Sequence, residues 1–235
     1  MDLPTRRRTL PTLCSVCRAW AAERVCEACT QRFAAPLARC VSCALPVPAG
    51  VTHCAACQRQ PPPLDASIAA VDYRFPWDGV VAAFKFRAGL DLAGALAAMI
   101  ESAVRRAASP LPTLLLPVPL SRERLAERGY NQAGVLARQL ARRLGIAQEP
   151  RLLRRLVDTP HQADLPRERR LANLRGAFGV EPRRAPQLRG RSVALVDDVM
   201  TTGTTLAEAA RTLKAAGAAS VQAWVFARTP PPDDR

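Results

Sequence analysis

Lysine, aromatic side chains and long apolar runs are all scarce in this 235-residue chain. No stretch approaches the ~20 consecutive apolar residues that a membrane helix needs, so membrane insertion is not expected. The basic N-terminus is not followed by an apolar segment like that of a secretory signal peptide, which predicts a cytoplasmic protein. Aromatic residues make up 5% of the chain, so few side chains are available to stack on single-stranded nucleic acid.

Basic charge is abundant, by contrast, and comes almost wholly from arginine. Only Lys85 and Lys214 are lysines, and the formal net charge is +14. A charge of this size favours a polyanionic partner, such as a phosphorylated small molecule or nucleic acid. The alternative is a compositional bias toward arginine, and charge alone does not choose between a small phosphate ligand and DNA.

Cysteine is absent after residue 57, and the eight cysteines of the chain, all between residues 14 and 57, form four Cys-x-x-Cys pairs. The pairs are Cys14/Cys17, Cys26/Cys29, Cys40/Cys43 and Cys54/Cys57. A disulfide framework would require an oxidising compartment, and a redox-active Cys-x-x-Cys normally occurs once. Four pairs in succession instead predict two tetrahedral zinc sites of four cysteines each, which are structural because no coordination position stays open.

The combination of these pairs into two sites remains open. Sequential combination groups the first two pairs in one site and the last two in the other, whereas interleaved combination closes longer loops. Chain entropy mildly favours the sequential arrangement. A module of this length builds little core, so zinc would supply its folding energy.

The remaining chain predicts an α/β domain, because apolar strands alternate with helices as in a mostly parallel sheet flanked by helices. We expect strands at 67–75, 114–118, 192–196 and 221–227, and helices at 78–86, 90–108, 131–144 and 204–216. Residues 119–130 are expected to form a loop, and 145–190 lack clear periodicity, which is typical of a functional or mobile loop. The expected domains are a disordered N-terminus (1–12), a double zinc ribbon (13–60), a Pro-rich linker (61–66), the α/β domain (67–228) and a disordered tail (229–235).

The most informative motif begins where the strand at 192–196 ends. Asp197 and Asp198 follow it directly, and a loop of small residues then leads into a helix: Thr201, Thr202, Gly203, Thr204 and Thr205. Open α/β sheets bind ligands at the carboxyl ends of their strands, and a helix N-terminus offers free N–H groups to an anion. Two carboxylates beside a phosphate cradle suit a phosphorylated ribose. The alternatives are a solvated turn and a capping box between Thr205 and Glu208.

This motif resembles the ribose-5-phosphate loop of type I phosphoribosyltransferases, which bind 5-phosphoribosyl-1-diphosphate (PRPP). The resemblance implies that Asp197 and Asp198 contact the ribose hydroxyls, and that the loop 201–205 holds the 5′-phosphate. It also implies that Mg²⁺ binds together with PRPP. The α/β domain is accordingly expected to have the type I phosphoribosyltransferase fold.

A second group of residues is suited to the pyrophosphate of PRPP. Arg124, Arg128 and Gly129 follow the strand that ends at residue 118 and precede a helix. Arginine makes strong contacts with phosphate, and glycine allows close approach of the backbone. Lys85 is a further candidate because lysine is so rare here, although a surface lysine on a short helix is the alternative.

Taken together, the motifs resemble the ComF competence family. They are Lys85-Phe86, Pro117-Val118-Pro119, the segment from Arg128 to Ala133, Pro160-His161-Gln162, Arg170…Asn173…Phe178, and the segment from Val196 to Thr205. Tyr130 stands where that family usually has phenylalanine. The resemblance implies a role in DNA uptake and natural transformation. It also implies a flexible loop carrying Gln162, Arg170 and Asn173 that closes over the active site.

Two functions fit these observations. One is transfer of the phosphoribosyl group from PRPP with release of pyrophosphate. The other is a non-catalytic PRPP-sensing module that binds single-stranded DNA or a competence helicase. No acceptor-binding element and no general base is recognisable in the sequence, so the sequence leaves the acceptor, catalytic activity and oligomeric state open.

Overall fold

The computed structural model describes residues 11–86, 89–156 and 176–230. Three residues expected in the flexible loop lie outside these ranges: Gln162, Arg170 and Asn173. Most of the expected disordered termini, 1–10 and 231–235, also lie outside them. Within the described ranges, no helix is both long and apolar enough to cross a membrane.

The N-terminal region contains short elements arranged around the cysteines. They are β1 (Thr12–Leu13), β2 (Trp20–Ala21), α1 (Glu27–Phe33) and α2 (Ala55–Arg59). Strands β1 and β2 pair antiparallel. Cys26 occupies the N-cap position of α1 and Cys54 that of α2, so each helix begins directly after a cysteine.

One backbone turn occurs twice in this region. In the first copy the N–H of Arg18 donates to the carbonyl of Cys14 at 2.9 Å, and in the second Ala44 donates to Cys40 at 2.8 Å. Arg18 and Ala44 both have positive φ, 64° and 58°, a conformation that costs a non-glycine residue about 1–2 kcal/mol. The shared turn, with the same unusual backbone at the same offset from a cysteine, indicates an internal repeat.

The rest of the chain forms one α/β domain. Its elements are, in order, β3 (Ala66–Asp72), α3 (Trp77–Phe86), α4 (Ala93–Arg106), β4 (Leu114–Pro117), α5 (Arg122–Arg128), α6 (Gln132–Leu144), β5 (Ala147–Gln148), β6 (Leu153–Arg155), β7 (Phe178–Val180), β8 (Ser192–Met200), α7 (Thr204–Ala215) and β9 (Ser220–Arg228). Single 3-10 turns occur at Leu90–Leu92 and Ala185–Leu188.

Five strands form a parallel sheet in the order β3-β9-β8-β4-β5. The three central strands are apolar on both faces, as expected for a parallel sheet covered by helices. Strands β6 and β7 form a separate antiparallel pair. The predicted α/β class, with a mostly parallel sheet and an N-terminal cysteine module, is confirmed.

The two faces of the sheet carry separate cores. Along β8, Ala194 and Val196 belong to one apolar cluster and Val193 and Leu195 to the other, as the two-residue period of a strand requires. Helices α3, α4 and α6 cover the first face, and α7 with the β6–β7 pair covers the second. The first two cysteine pairs contribute to the first core and the last two to the second, so the cysteine module packs on both sides of the domain.

The sequence-based expectations are wrong for the loop at 119–130 and for the ends of two strands. The strand expected at 67–75 ends at Asp72. The predicted loop at 119–130 contains helix α5, which Ser121 caps by accepting a hydrogen bond from the N–H of Arg124 at 3.3 Å. The sequence of α5 has no apolar periodicity that would predict a helix, because none of its residues packs into a core. Strand β8 does not end at residue 196 but continues through both aspartates to Met200, paired with β9. The unassigned stretch 145–190 contributes β5, β6 and β7.

Candidate functional site

The two aspartates lie near the carboxyl end of β8, between β4 and β9. Asp198 is 6% exposed, and Asp197 is half-buried. The N–H of Asp198 donates to Oδ1 of Asp197 at 2.9 Å. Nζ of Lys85 lies 3.3 Å from Oδ2 of Asp198, so the end of α3 meets the end of β8.

The environment of Asp197 changes its acidity. Burial raises the pKa of Asp197 to about 7, and the neighbouring carboxylate of Asp198 adds to the rise. The backbone N–H of Asp198 and the charges of Lys85 and Arg128 act in the opposite direction. Near neutral pH Asp197 is therefore partly protonated, and it can both donate and accept a hydrogen bond.

Residues 84–86 at the end of α3 are held by the segment that follows α5. The hydroxyl of Tyr130 donates to the carbonyl of Phe84, and Nε2 of Gln132 donates to the carbonyl of Lys85 at 3.4 Å. Asn131 fixes the same segment to the sheet, because its Nδ2 donates to the carbonyl of Val118 at 3.0 Å. These contacts position the Lys85 side chain toward the aspartates.

Arg128 lies beside this contact. Its guanidinium carbon is 5.0 Å from the centre of the Phe86 ring, and its Nη1 donates to Oε1 of Gln132 at 3.2 Å. Within the described ranges, Nε of Arg128 and Oδ2 of Asp198 are buried without a hydrogen-bond partner. Buried polar atoms normally have partners and cost about 1–3 kcal/mol without them. Lys85 offsets the charge of Asp198, but Oδ2 of Asp198 and Nε of Arg128 keep unused hydrogen-bonding capacity at one site, which suits a polar ligand.

The other two pyrophosphate candidates are placed differently. Arg124 lies one turn earlier on α5 and is half-buried, and the ion-pair contact with the aspartates is made by Lys85 instead. Gly129 ends α5 with φ of 75°, and open space surrounds the position of a Cβ. Glycine is required here for the left-handed backbone rather than for close approach.

The loop between β8 and α7 is shaped by Gly203. Its φ is 80°, and a Cβ at this position would lie 2.6 Å from Cε of Met200. The hydroxyls of Thr202 and Thr204 are 2.8 Å apart, and Thr201 is exposed. The N–H of Thr204 donates to Oγ1 of Thr202 at 3.4 Å. Because Gly203 is the N-cap and has no side chain, the N–H groups of Thr205 and Leu206 in the first turn of α7 are available to an anion.

The capping-box alternative does not form. Oε1 of Glu208 accepts a hydrogen bond from the N–H of Gly176 at 2.9 Å, and its Oε2 pairs with Arg211. The carboxylate of Glu208 therefore does not close the N-terminus of α7, and the Thr/Gly loop needs another explanation.

Arg228 ends β9 and is 5% exposed. Its guanidinium donates to the carbonyls of Cys43 at 2.8 Å, Met200 at 3.0 Å and Thr229 at 2.7 Å, and also to that of Thr201. No signal in the sequence marks this role, because an arginine after an apolar strand usually marks only the end of the strand.

The eight thiols converge in two groups of four. The first cysteine cluster consists of Cys14, Cys17, Cys26 and Cys29, and the second of Cys40, Cys43, Cys54 and Cys57. In each cluster all Sγ atoms lie within 4.8 Å of one another, and one pair in each is 3.7 Å apart. Four thiolates around zinc at ~2.3 Å would be about 3.8 Å apart, so both clusters are suited to zinc. The sequential arrangement is the one that forms.

The thiol acidities fit metal binding. Burial raises the pKa of Cys14, but backbone N–H groups, including those of Val16 and Cys26, outweigh it and lower that pKa to about 6. The pKa of Cys40 is similarly lowered to about 7. In the first cluster, burial and the neighbouring thiols raise the pKa of Cys29 to about 12. Four thiolates can coexist in so small a space when a divalent cation offsets their charge.

Comparison with known proteins identifies the class of the α/β domain. A family model described as phosphoribosyl transferase domain matches residues 125–233. The DNA utilization protein YhgH of Salmonella typhi is 34% identical over 228 residues, which cover 94% of this chain and 99% of that protein. Competence protein F of Haemophilus influenzae is 36% identical over 180 residues, covering 75% of this chain and 78% of that protein. Competence protein ComFC of Bacillus subtilis is 35% identical over 147 residues, covering 62% and 57%.

The chain is thus an α/β protein with a phosphoribosyltransferase domain and two clusters of four cysteines. It belongs to the family of DNA utilization protein YhgH and competence protein F. The resemblance stated from the motifs is confirmed.

Proposed function

We propose that this protein binds PRPP with Mg²⁺ at the carboxyl edge of its parallel sheet. The observation that carries the proposal is the contact between Lys85 and Asp198. It brings a residue suited to pyrophosphate directly to a residue suited to ribose, and Arg128 lies beside both. One ligand that carries both groups matches this juxtaposition.

The proposed roles follow the ligand from one end to the other. Asp197 and Asp198 accept hydrogen bonds from the ribose hydroxyls, and the loop 201–205 binds the 5′-phosphate through its hydroxyls and the amides of α7. Lys85 and Arg128 bind the pyrophosphate, with Arg124 and Gly129 at the margin of that subsite. Mg²⁺ enters with PRPP and offsets the negative charge of its phosphates.

This arrangement supports phosphoribosyl transfer. As the bond to pyrophosphate weakens, positive charge grows on the ribose, and the carboxylate of Asp198 stabilises it, together with Asp197 where that group is ionised. Lys85 and Arg128 stabilise the charge on the departing pyrophosphate. The segment that includes Gln162, Arg170 and Asn173 is proposed to close over the ligand and exclude water.

The second candidate is a PRPP sensor without turnover that binds single-stranded DNA or a competence helicase in DNA uptake and natural transformation. The names of the relatives, DNA utilization protein and competence protein, favour a role with DNA, as does the net charge of +14. We further propose that both cysteine clusters bind zinc, and that the protein is cytoplasmic, where unbridged thiols like these stay reduced.

Thermal unfolding and a pyrophosphate-release assay test these proposals together. PRPP with Mg²⁺ should raise the melting temperature, because a ligand that binds only the folded state stabilises it. Pyrophosphate release with one member of a panel of nucleobases would establish transfer. Stabilisation without release across the panel would favour the sensor, and an unchanged melting temperature at millimolar PRPP would contradict both.

A further inference from the structure

Arg228 joins the second cysteine cluster to the loop proposed to bind phosphate. Its Nε donates to the carbonyl of Cys43, whose Sγ belongs to the cluster. Its Nη1 donates to the carbonyls of Met200 and Thr201, where β8 gives way to the loop. One planar guanidinium therefore lies between the two sites.

The position of Arg228 makes this link stiff. Arg228 is in register with Met200 on β8 and with Asp72 on β3, so its backbone is fixed by strands on both sides. The N–H of Thr229 also donates to the carbonyl of Met200 at 3.0 Å. A buried guanidinium that loses one acceptor leaves a donor unsatisfied, and the remaining contacts then rearrange.

The turn of the second cluster is anchored on its other side as well. Nη1 of Arg39 lies 2.7 Å from Oδ1 of Asp72 and also donates to the carbonyl of Ala44 at 3.0 Å. The N–H of Ser67 donates to the carbonyl of Val41 at 2.6 Å, and the hydroxyl of Ser67 donates to the carbonyl of Ser42 at 2.7 Å. These bonds attach Val41, Ser42 and Ala44 to β3, the edge strand of the sheet. None of them involves Cys43, so the position of its carbonyl depends on the cysteine cluster and on Arg228.

The first cluster is attached elsewhere. Its contact with the domain includes a hydrogen bond from Nε1 of Trp77 to the carbonyl of Phe33 at 2.9 Å, on the face covered by α3 and α4. Each cluster contains one copy of the repeated turn and one cysteine at a helix N-cap position. Arg228 connects the second cluster to the loop 201–205. Because of this difference, the first cluster has a local structural role, whereas the second is also connected to the proposed ligand site.

We propose that Arg228 is a positioning residue through which metal binding at the second cluster sets the shape of the loop 201–205 and hence the affinity for PRPP. The claim about affinity rests on the proposed function, whereas the claim about the loop does not. With the cluster filled, the carbonyl of Cys43 stays in place and the guanidinium holds the carbonyls of Met200 and Thr201. When the cluster loses its metal, the turn moves and the loop loses that support.

Amide hydrogen exchange of the zinc-loaded full chain, without PRPP, tests the loop directly. The R228K variant keeps the charge but not the planar set of donors. It should speed exchange about tenfold at Thr204 in the loop, whose N–H donates to Oγ1 of Thr202, and at Thr229, whose N–H donates to the carbonyl of Met200. The matched control is R191K, because Arg191 also binds a carbonyl, that of Thr113, but at the opposite end of β8. R191K should leave the exchange of the loop as in wild type.

The two clusters are compared through equivalent cysteines. C54S should speed exchange at the loop 201–205, whereas C26S should speed exchange in α3, near Trp77. Equal effects of both variants on the loop would overturn the proposal, as would unchanged loop exchange in zinc-loaded R228K. If R228K does not fold, the comparison of C54S with C26S tests the proposal by itself.

Calorimetric titration with PRPP and Mg²⁺ then separates this inference from the proposed function. Affinity should fall about tenfold in R228K and C54S, in step with loop exchange. If wild type binds no PRPP but R228K and C54S still loosen the loop, the function is wrong and the structural link stands. If wild type binds PRPP and R228K binds it equally well, the role of Arg228 in affinity is contradicted.

Discussion

Nζ of Lys85 lies 3.3 Å from Oδ2 of Asp198, and this ion pair joins the end of helix α3 to the carboxyl end of strand β8. The carboxylate is buried and the ammonium group is partly buried. Removing one partner of such a pair leaves an uncompensated charge, so the contact affects both stability and ligand binding.

Replacement of Lys85 by methionine should therefore lower the unfolding free energy by about 2 kcal/mol and weaken PRPP binding at least tenfold. The other lysine provides the control, because Lys214 pairs with Asp65 in an exposed contact at 2.9 Å. K214M should cost about 0.5 kcal/mol or less. Urea unfolding and calorimetric titration measure both effects, and equal losses in the two variants would contradict a special role for Lys85.

Asp197 should make stability depend on pH. Its pKa is about 7 in the folded protein, against an ordinary value of 3.8, so the folded state holds more protons between these limits. Stability of the wild type should then fall as pH rises from about 4 to 7 and level off above. D197N removes this titration, and its gain over wild type should grow to about 2 kcal/mol at pH 8, after allowance for partial exposure.

Denaturant unfolding of wild type and D197N between pH 4.5 and 8 measures this difference. The cysteines titrate in both proteins, so their contribution cancels in the comparison. A difference in unfolding free energy that stays constant with pH would show that the pKa of Asp197 is not raised.

Gly203 can be tested against a second glycine of the same backbone type. Gly203 and Gly50 have φ of 80° and 82°, but a Cβ at Gly203 meets Met200 while one at Gly50 meets open space. G50A should cost about 1 kcal/mol for the backbone alone. G203A should cost more and should also weaken PRPP binding, because the displaced Met200 distorts the loop. Equal costs in unfolding experiments would contradict the packing argument.

The cysteine clusters predict about two zinc ions per chain by elemental analysis. Removal of zinc with a chelator should unfold the N-terminal module, since metal binding supplies the folding energy of so small a unit. A value near one zinc ion per chain would contradict zinc binding at one of the two clusters. Full retention of structure after chelation would contradict a structural role for zinc.

The sequence predicts what is local and misses what packing brings together. Residues 197–205 are recognisable because strand, carboxylates and loop are consecutive. Helix α5 is missed because its exposed residues show no apolar period. Lys85 stands out by its rarity, but its partner Asp198 follows only from how α3 packs beside β8. Arg228 is not recognisable, since two of its acceptors, the carbonyls of Cys43 and Met200, lie in distant segments of the chain.

The most direct measurement of the central claim is calorimetric titration of the zinc-loaded protein with PRPP and Mg²⁺. We predict saturable binding to the wild type and to D91N, whose exposed carboxylate pairs with Arg24 away from the site. The double variant D197N/D198N should lose binding by at least tenfold. No binding by wild type, or equal binding by the double variant, would contradict the assignment of this site.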